Sequence, residues 1–139
     1  MIEVLNLQRK YCLRLARFTD LLDKLVQRFG LEDPEITLAF VDTKRIRALN
    51  KKFLGRDAPT DVLSFPVGKK AADGKFYLGD ILISVPQAFR QCLRQPHGLE
   101  EELEDLVIHG FLHLLGYEHG RGIEKEEEKA RFFWRGDRK

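Results

Sequence analysis

Apolar residues recur at steps of three and four between about Tyr11 and Phe29, at Leu15, Phe18, Leu22, Leu25, Val26 and Phe29, which predicts an amphipathic helix closed near Gly30. After a turn signal at Asp33-Pro34, the run EITLAFV from Glu35 to Val41 favours a β-strand. Thr43 then suits an N-cap for a helix from Lys44 to about Phe53, with Ile46 and Leu49 facing inward. A polar loop, LGRDAPTD, follows. Val62 to Phe65 and Leu78 to Val85 read as two further strands, separated by the polar stretch GKKAADGK, which forms a turn or a flexible flap. The whole loop from Val67 to Phe76 is long and polar enough to close over a groove, with disorder as the simpler alternative. Pro86 fits the first turn of a helix running to about Arg94.

From Leu99 the pattern changes. Glu100, Glu101, Glu102 and Glu104 load the start of a helix with acid, as the positive end of the helix dipole favours. From Leu106 to Leu115 the chain is then almost wholly apolar, and a helix apolar on nearly every side belongs in the middle of a domain. The stretch from Glu124 to Arg135 is charge-rich, with Ala130, Phe132, Phe133 and Trp134 near its end. It reads as a final surface helix pinned by aromatic packing. No internal repeat interrupts this order.

The 139 residues suit one domain, residues 1–139, with a single real core. Hydrophobic residues make up 43% and charged ones 33%, the balance of a water-soluble globular protein rather than a disordered or membrane one. No apolar stretch is long enough for a transmembrane helix, and MIEVLNLQRK lacks a signal-peptide layout, so the expected location is the cytoplasm, with no membrane partner. Cys12 and Cys92 are too few for a disulfide framework and are expected to be small core residues without a disulfide partner. Residues 1–99 carry 17 Lys and Arg against 11 Asp and Glu, whereas residues 100–139 carry 7 against 11. That asymmetry is compatible with a polyanionic partner and equally with a solvated surface.

The chemistry concentrates in the buried helix. His109 and His113 are four residues apart, hence on one face, where two imidazoles can reach one metal ion. Gly116 lets the chain turn, and His119 follows three residues later. Three nitrogen ligands with a fourth position open describe a catalytic zinc site, because structural zinc sites close with four protein ligands and usually include cysteine. Single core histidines are common, but this spacing arises by chance in only about one such chain in ten thousand. The pattern is similar to that of metzincin proteases, with Gly110 where those enzymes place the glutamate that shuttles the proton to a leaving amine. Peptide hydrolysis is therefore disfavoured, while a metal can still activate water and polarise a phosphoryl oxygen.

His109-Gly110-Phe111-Leu112-His113-Leu114-Leu115-Gly116-Tyr117-Glu118-His119 closely resembles the HGxLHLxGYDH signature of the bacterial YbeY family of metal-dependent endoribonucleases, with Glu118 for aspartate. Leu49-Asn50, Thr60-Asp61-Val62-Leu63-Ser64-Phe65-Pro66 and Leu78-Gly79-Asp80-Ile81-Leu82-Ile83-Ser84 resemble its other blocks, so the likeness spans about Val41 to His119. The resemblance implies an α+β, metzincin-like (zincin-like) single domain with a mixed sheet of about four strands surrounded by helices. It also implies one zinc ion on His109, His113 and His119, and single-strand-specific cleavage of RNA in 16S rRNA 3′-end maturation and ribosome quality control. Small-subunit rRNA or the ribosome is then the expected partner. His109, His113 and Arg56 are the expected catalytic residues. Arg56 enters by inference, because the arginine that the family carries four residues after the asparagine is Leu54 here.

Two rival readings remain at this point: a metal-containing ribosome-assembly or RNA-binding factor with little catalysis, and a metal-dependent hydrolase of another substrate. Asp61 and Asp80 stand at predicted strand ends, where carboxylates serve either as turn residues or as partners that orient a ligand. Some of Lys44, Arg45, Arg47, Lys51, Lys52 and Arg56 are expected to meet phosphates. Ser64 has no base beside it in sequence to make it a nucleophile, and His97 is expected at the surface. Oligomeric state is not legible in these residues.

Overall fold

A computed structural model describes residues 1–137. Four strands and five helices follow one another as β1 (Ile2–Asn6), α1 (Leu15–Arg28), β2 (Glu35–Val41), α2 (Thr43–Leu54), β3 (Val62–Lys70), β4 (Phe76–Ser84), α3 (Val85–Cys92), α4 (Leu99–Leu114) and α5 (Ile123–Asp137). The sheet order is β1-β2-β4-β3, with the first three strands parallel and β3 antiparallel to β4. It is thus a single α+β unit with a four-stranded mixed sheet, as expected.

Residues alternate across the sheet, and each face has its own core. On one side Ile36, Leu38, Phe40, Ile81 and Ile83 pack with α1 and α4 residues such as Phe18, Leu22, Leu25, Val107 and Phe111. Most of these side chains are wholly buried, each contributing about 1.5–3 kcal/mol of hydrophobic stabilisation. On the other side a smaller cluster of Ala39, Val41, Leu63 and Leu82 meets Ile46 and Leu49 of α2, the two residues read as inward-facing. α4 runs through the larger core, as its apolar sequence required. His109 and His113 are only half-buried and face a cleft beside β3.

Several elements depart from the sequence reading. The opening Ile2–Asn6, left unassigned from the pattern, forms an edge strand because it pairs in parallel with β2. α1 starts at Leu15 rather than near Tyr11. The buried Gln8 side chain accepts the Tyr11 N–H at 2.9 Å and donates to the Tyr11 carbonyl at 2.7 Å, holding this segment in a turn. Asp42, not Thr43, caps α2 by accepting the Arg45 N–H at 2.7 Å. The stretch between Val67 and Phe76, read as a turn, a flap or disorder, is mostly hairpin. β3 and β4 stay paired across a bulge between Pro66 and Lys69, leaving a short turn in which the Ala71 N–H meets the Lys75 carbonyl at 2.8 Å. Cys12 is exposed rather than in the core, while Cys92 is buried, and both are free thiols.

The acidic start of α4 also does more than face solvent. Glu104 is wholly buried, and its Oε2 accepts from Arg17 Nε at 2.6 Å and Trp134 Nε1 at 2.8 Å. The Glu104 carboxylate thereby ties α1, α4 and α5 together and holds the Arg17 guanidinium above its ordinary pKa. Trp134 packs in the core as expected, whereas Phe132 is 81% exposed. Phe133 lies under Arg28, with the guanidinium carbon 5.1 Å from the ring centre.

Candidate functional site

The site forms where α4 passes under β3. Helical spacing brings the His109 and His113 Nε2 atoms to 2.9 Å of each other, with the rings edge to face. They lie in a cleft of about 540 Å³ whose lining includes Asn50, Leu54, Arg56, Thr60, Ser64 and Glu118. A roomier hollow of about 740 Å³ at the Leu31–Pro34 end is lined by α1 and contains no histidine, so its size does not mark it as the reactive site.

The His109 Nδ1 meets the Glu127 carboxylate of α5. An ionised carboxylate only accepts, so Nδ1 carries the proton and Nε2 presents a lone pair to the cleft. This contact raises the His109 pKa against the effect of burial. Burial lowers that of His113, and the neighbouring His109 adds to the effect. Glu127 in turn has Arg131 one turn on, at 3.5 Å. The residue pattern did not single out Glu127. The available signal was its place on the stripe Ile123, Glu127, Ala130, Trp134, an acid at a position where its helical neighbours are buried.

Two imidazole nitrogens aimed at one point, one backed by a carboxylate, fit a metal ion. The two nitrogens stand at hydrogen-bond distance, and a bound ion would need them to move only slightly apart. His119 is not part of this pair. Its ring is 90% exposed and its Nδ1 lies 2.9 Å from Glu124, whose Oε1 also accepts the Gly120 N–H at 3.1 Å. Hydrogen bonds from its own backbone N–H and from that of Gly120 keep the Glu124 carboxyl below its ordinary pKa. Among the described residues, no set of three or more histidine, cysteine and carboxylate side chains converges as a metal-holding group.

The chain around His119 explains its separation from the pair. Gly116, at φ 97°, ends α4 in a left-handed cap in which the Gly116 N–H meets the His113 carbonyl and the Tyr117 N–H that of Leu112. Gly120 and Gly122 also have positive φ, so His119 sits on a glycine-punctuated turn rather than on the rigid helix.

The glycine at 110 has a steric cause beyond the missing proton shuttle. A Cβ there would lie 2.7 Å from Ile81 Cγ2 and 3.2 Å from Ser64 Oγ, so this face of α4 is pressed against the sheet. Ser64 donates to the Gly110 carbonyl at 3.2 Å, a packing contact consistent with its not being a nucleophile.

Arg56 stands exposed on the cleft wall and has no ion pair among the described residues. Asn50 positions the loop that carries it: its buried side chain donates to the Ala58 carbonyl at 2.9 Å, and its own carbonyl accepts the Arg56 N–H at 3.3 Å. Two basic residues of α2 are less available, since Arg47 binds Asp57 at 2.8 Å and Lys51 approaches it at 4.0 Å. The Arg47 hydrogen bond lowers the Asp57 pKa. Asp61 caps the start of β3, accepting the Val62 N–H at 2.8 Å and Gln91 Nε2 at 3.2 Å, while its charge still raises the His109 pKa. Asp80 points away from α4, alternating with Ile81, and burial raises its pKa. His97 is 2.8 Å from Glu102 and only 20% exposed, so it is less of a surface residue than its loop position indicated.

The family model described as Endoribonuclease YbeY matches residues 4–134. The chain belongs to the endoribonuclease YbeY family. Endoribonuclease YbeY of Oceanobacillus iheyensis is 43% identical over 121 residues, covering 81% of this chain and 77% of that protein. That of Aquifex aeolicus is 46% identical over 99 residues, covering 71% of this chain and 65%, just under two thirds, of its own length. A solution structure of a Thermotoga maritima protein superposes with a TM-score of 0.67 at 26% identity, covering 99% of this chain and 91% of that one. The YbeY match runs through β1, α1 and α5 as well as the quoted blocks, so Glu127 lies inside the family's domain.

Proposed function

We propose that this chain is a metal-dependent, single-strand-specific endoribonuclease acting in the cytoplasm on small-subunit rRNA, at the 16S 3′ end, in maturation and quality control of the ribosome. The observation that carries this reading is the pair of His109 and His113 nitrogens at 2.9 Å in a cleft that also contains Arg56. His109, His113 and His119 would hold one zinc ion, His119 by a swing of its glycine-flanked turn away from Glu124. When bound, zinc supplies a Lewis acid and lowers the pKa of a coordinated water to about 7.

The chain's own groups supply the rest. Glu127 keeps the His109 proton on Nδ1, so Nε2 keeps its lone pair free to hold a metal ion. Arg56 offers a guanidinium for the non-bridging oxygens of the scissile phosphate as charge builds in the transition state. Leu54, Pro66 and Leu114 give the cleft apolar walls that limit water around that charge. The two histidines on one helix beneath a mixed sheet support a metzincin-like classification. Gly110, packed on Ile81, leaves no room for the glutamate that peptide cleavage by such a site requires.

The test is cleavage of a 16S-type rRNA fragment by the purified protein and by His113→Ala prepared identically, with the metal content of both measured by mass spectrometry. Cutting that disappears in His113→Ala together with stoichiometric metal supports the reading. Equal cutting by both assigns the activity to a contaminant. RNA binding without cutting by either identifies a metal-containing assembly factor instead.

A further inference from the structure

The cleft admits the scissile phosphate and its neighbours, but a second basic surface adjoins it. Residues 4–19 and 81–99 contain no aspartate or glutamate, and they carry Arg9, Lys10, Arg14, Arg17, Arg90 and Arg94. The fold joins these two segments, for Tyr11 and Phe89 stack with ring centres 5.3 Å apart. Arg14 and Arg17 are used by Glu100 and Glu104. Arg9, Lys10, Arg90 and Arg94 have no carboxylate partner among the described residues and are all exposed.

The outward side of α3 orders these groups. Its buried side is Val85, Ala88 and Cys92, so at 100° per residue Phe89 and Leu93 form one flank, Arg90 and Arg94 the crest, and Gln87 and Gln91 the other flank. Phe89 is 37% and Leu93 69% exposed. Gln87, Arg90, Gln91, Arg94 and Gln95 line a shallow groove of about 240 Å³. That groove leads toward the cleft, because Gln91 donates to Asp61 at 3.2 Å and Asp61 lies between Thr60 and Val62, both on the cleft wall.

We infer that the exposed face of α3, with Tyr11 and Lys10 beside it, is an extended binding track for the single-stranded RNA flanking the cleavage point, a conclusion that rests on the ribonuclease reading above. Arg90 and Arg94 neutralise successive phosphates, the glutamines bond sugar and base edges, and Phe89 offers a ring on which a base stacks. Arg90 donates to Gln87 at 2.6 Å and, on this face, Asp61 touches only Gln91, so cations without a carboxylate partner lie beside aromatic rings, the footprint of sequence-tolerant single-strand binding. Charge complementarity favours a polyanion over an acidic peptide, because the amide-rich flank and exposed ring match nucleotides.

The track is tested by fluorescence anisotropy with a 20-nucleotide and a 5-nucleotide single-stranded RNA, without divalent metal so that neither is cut. The proteins compared are wild type, Arg90→Gln/Arg94→Gln, Phe89→Ser, and Lys129→Gln as a charge control on α5. The double variant is expected to bind the 20-mer on the order of tenfold more weakly, with its log-log salt slope shallower by about 1.4, the value for two phosphate contacts on a single strand. Phe89→Ser is expected to weaken the 20-mer at least about fivefold with an unchanged salt slope. Affinity for the 5-mer, which the cleft holds alone, is expected to move less than twofold in both, and Lys129→Gln to match wild type throughout. Matched melting temperatures exclude misfolding. Wild-type 20-mer binding in the double variant would overturn the track while leaving the ribonuclease reading intact. Failure of wild type to bind either RNA would remove both.

Discussion

His109 and His113 belong to one helix, and His119 to a turn between glycines. The first two are positioned before any ligand arrives, because a helix packed on three sides cannot let its i and i+4 side chains part, and Glu127 fixes one of the rings. His119 is 90% exposed and engaged with Glu124. A site built this way has a preset half and an adaptable half. The preset half supplies geometry without ordering cost at binding, while the adaptable half must give up the Glu124 contact and the freedom of its turn.

The largest break of this comparison should come from the preset half. His113→Ala is expected to lower zinc affinity by on the order of a thousandfold or more, read by competition with a chromophoric chelator, with His119→Ala costing less because its turn already pays an ordering cost. Equal losses in the two variants would show that the halves are alike. Next, Glu127→Gln is expected to weaken zinc about 10–100-fold, the usual effect of removing a ligand's carboxylate partner. It should also shift the His109 Nδ1 signal in a ¹⁵N spectrum of the metal-free protein, which a merely structural role for Glu127 would leave in place.

Packing beneath the pair gives a stability test. Gly110→Ala puts a methyl 2.7 Å from Ile81 Cγ2 and should cost about 1–3 kcal/mol, measured by urea unfolding, whereas Gly116→Ala meets no atom and is strained only by its φ of 97°. A Gly110→Ala protein as stable as wild type would mean that α4 rides loosely on the sheet and that the histidine pair is less preset than argued. The smallest effect belongs to Glu124→Gln. Releasing His119 from its exposed contact with Glu124 is expected to tighten zinc by less than about threefold.

The same division runs through the reading of the chain. The α4 pattern, the three strands from Glu35 onward and the histidine spacing were legible because each depends on residues close together in sequence. Arg56, inferred from its distance to the Leu49-Asn50 block, lines the cleft. Glu127 was not legible as a partner of His109, eighteen positions away. Nor was the burial of Glu104, which read as one of several helix-start acids until Arg17 and Trp134 came to it from other helices. The paired arms of β3 and β4 beyond Pro66 were likewise missed, since glycine and lysine carry no strand periodicity and only the partner strand stabilises them.

By itself, then, the amino-acid sequence determined the helix that presents two imidazoles on one side, the glycine that ends it, and the family to which those blocks belong. The first two follow from local backbone geometry and spacing, the third from the likeness of those blocks to the family's signature. Tertiary structure alone decided which acid holds His109, that His119 stands apart with Glu124, and that two acid-free segments meet at Tyr11 and Phe89. Those outcomes depend on which helices pack side by side on the sheet, and packing joins residues whose separation along the chain carries no local signal.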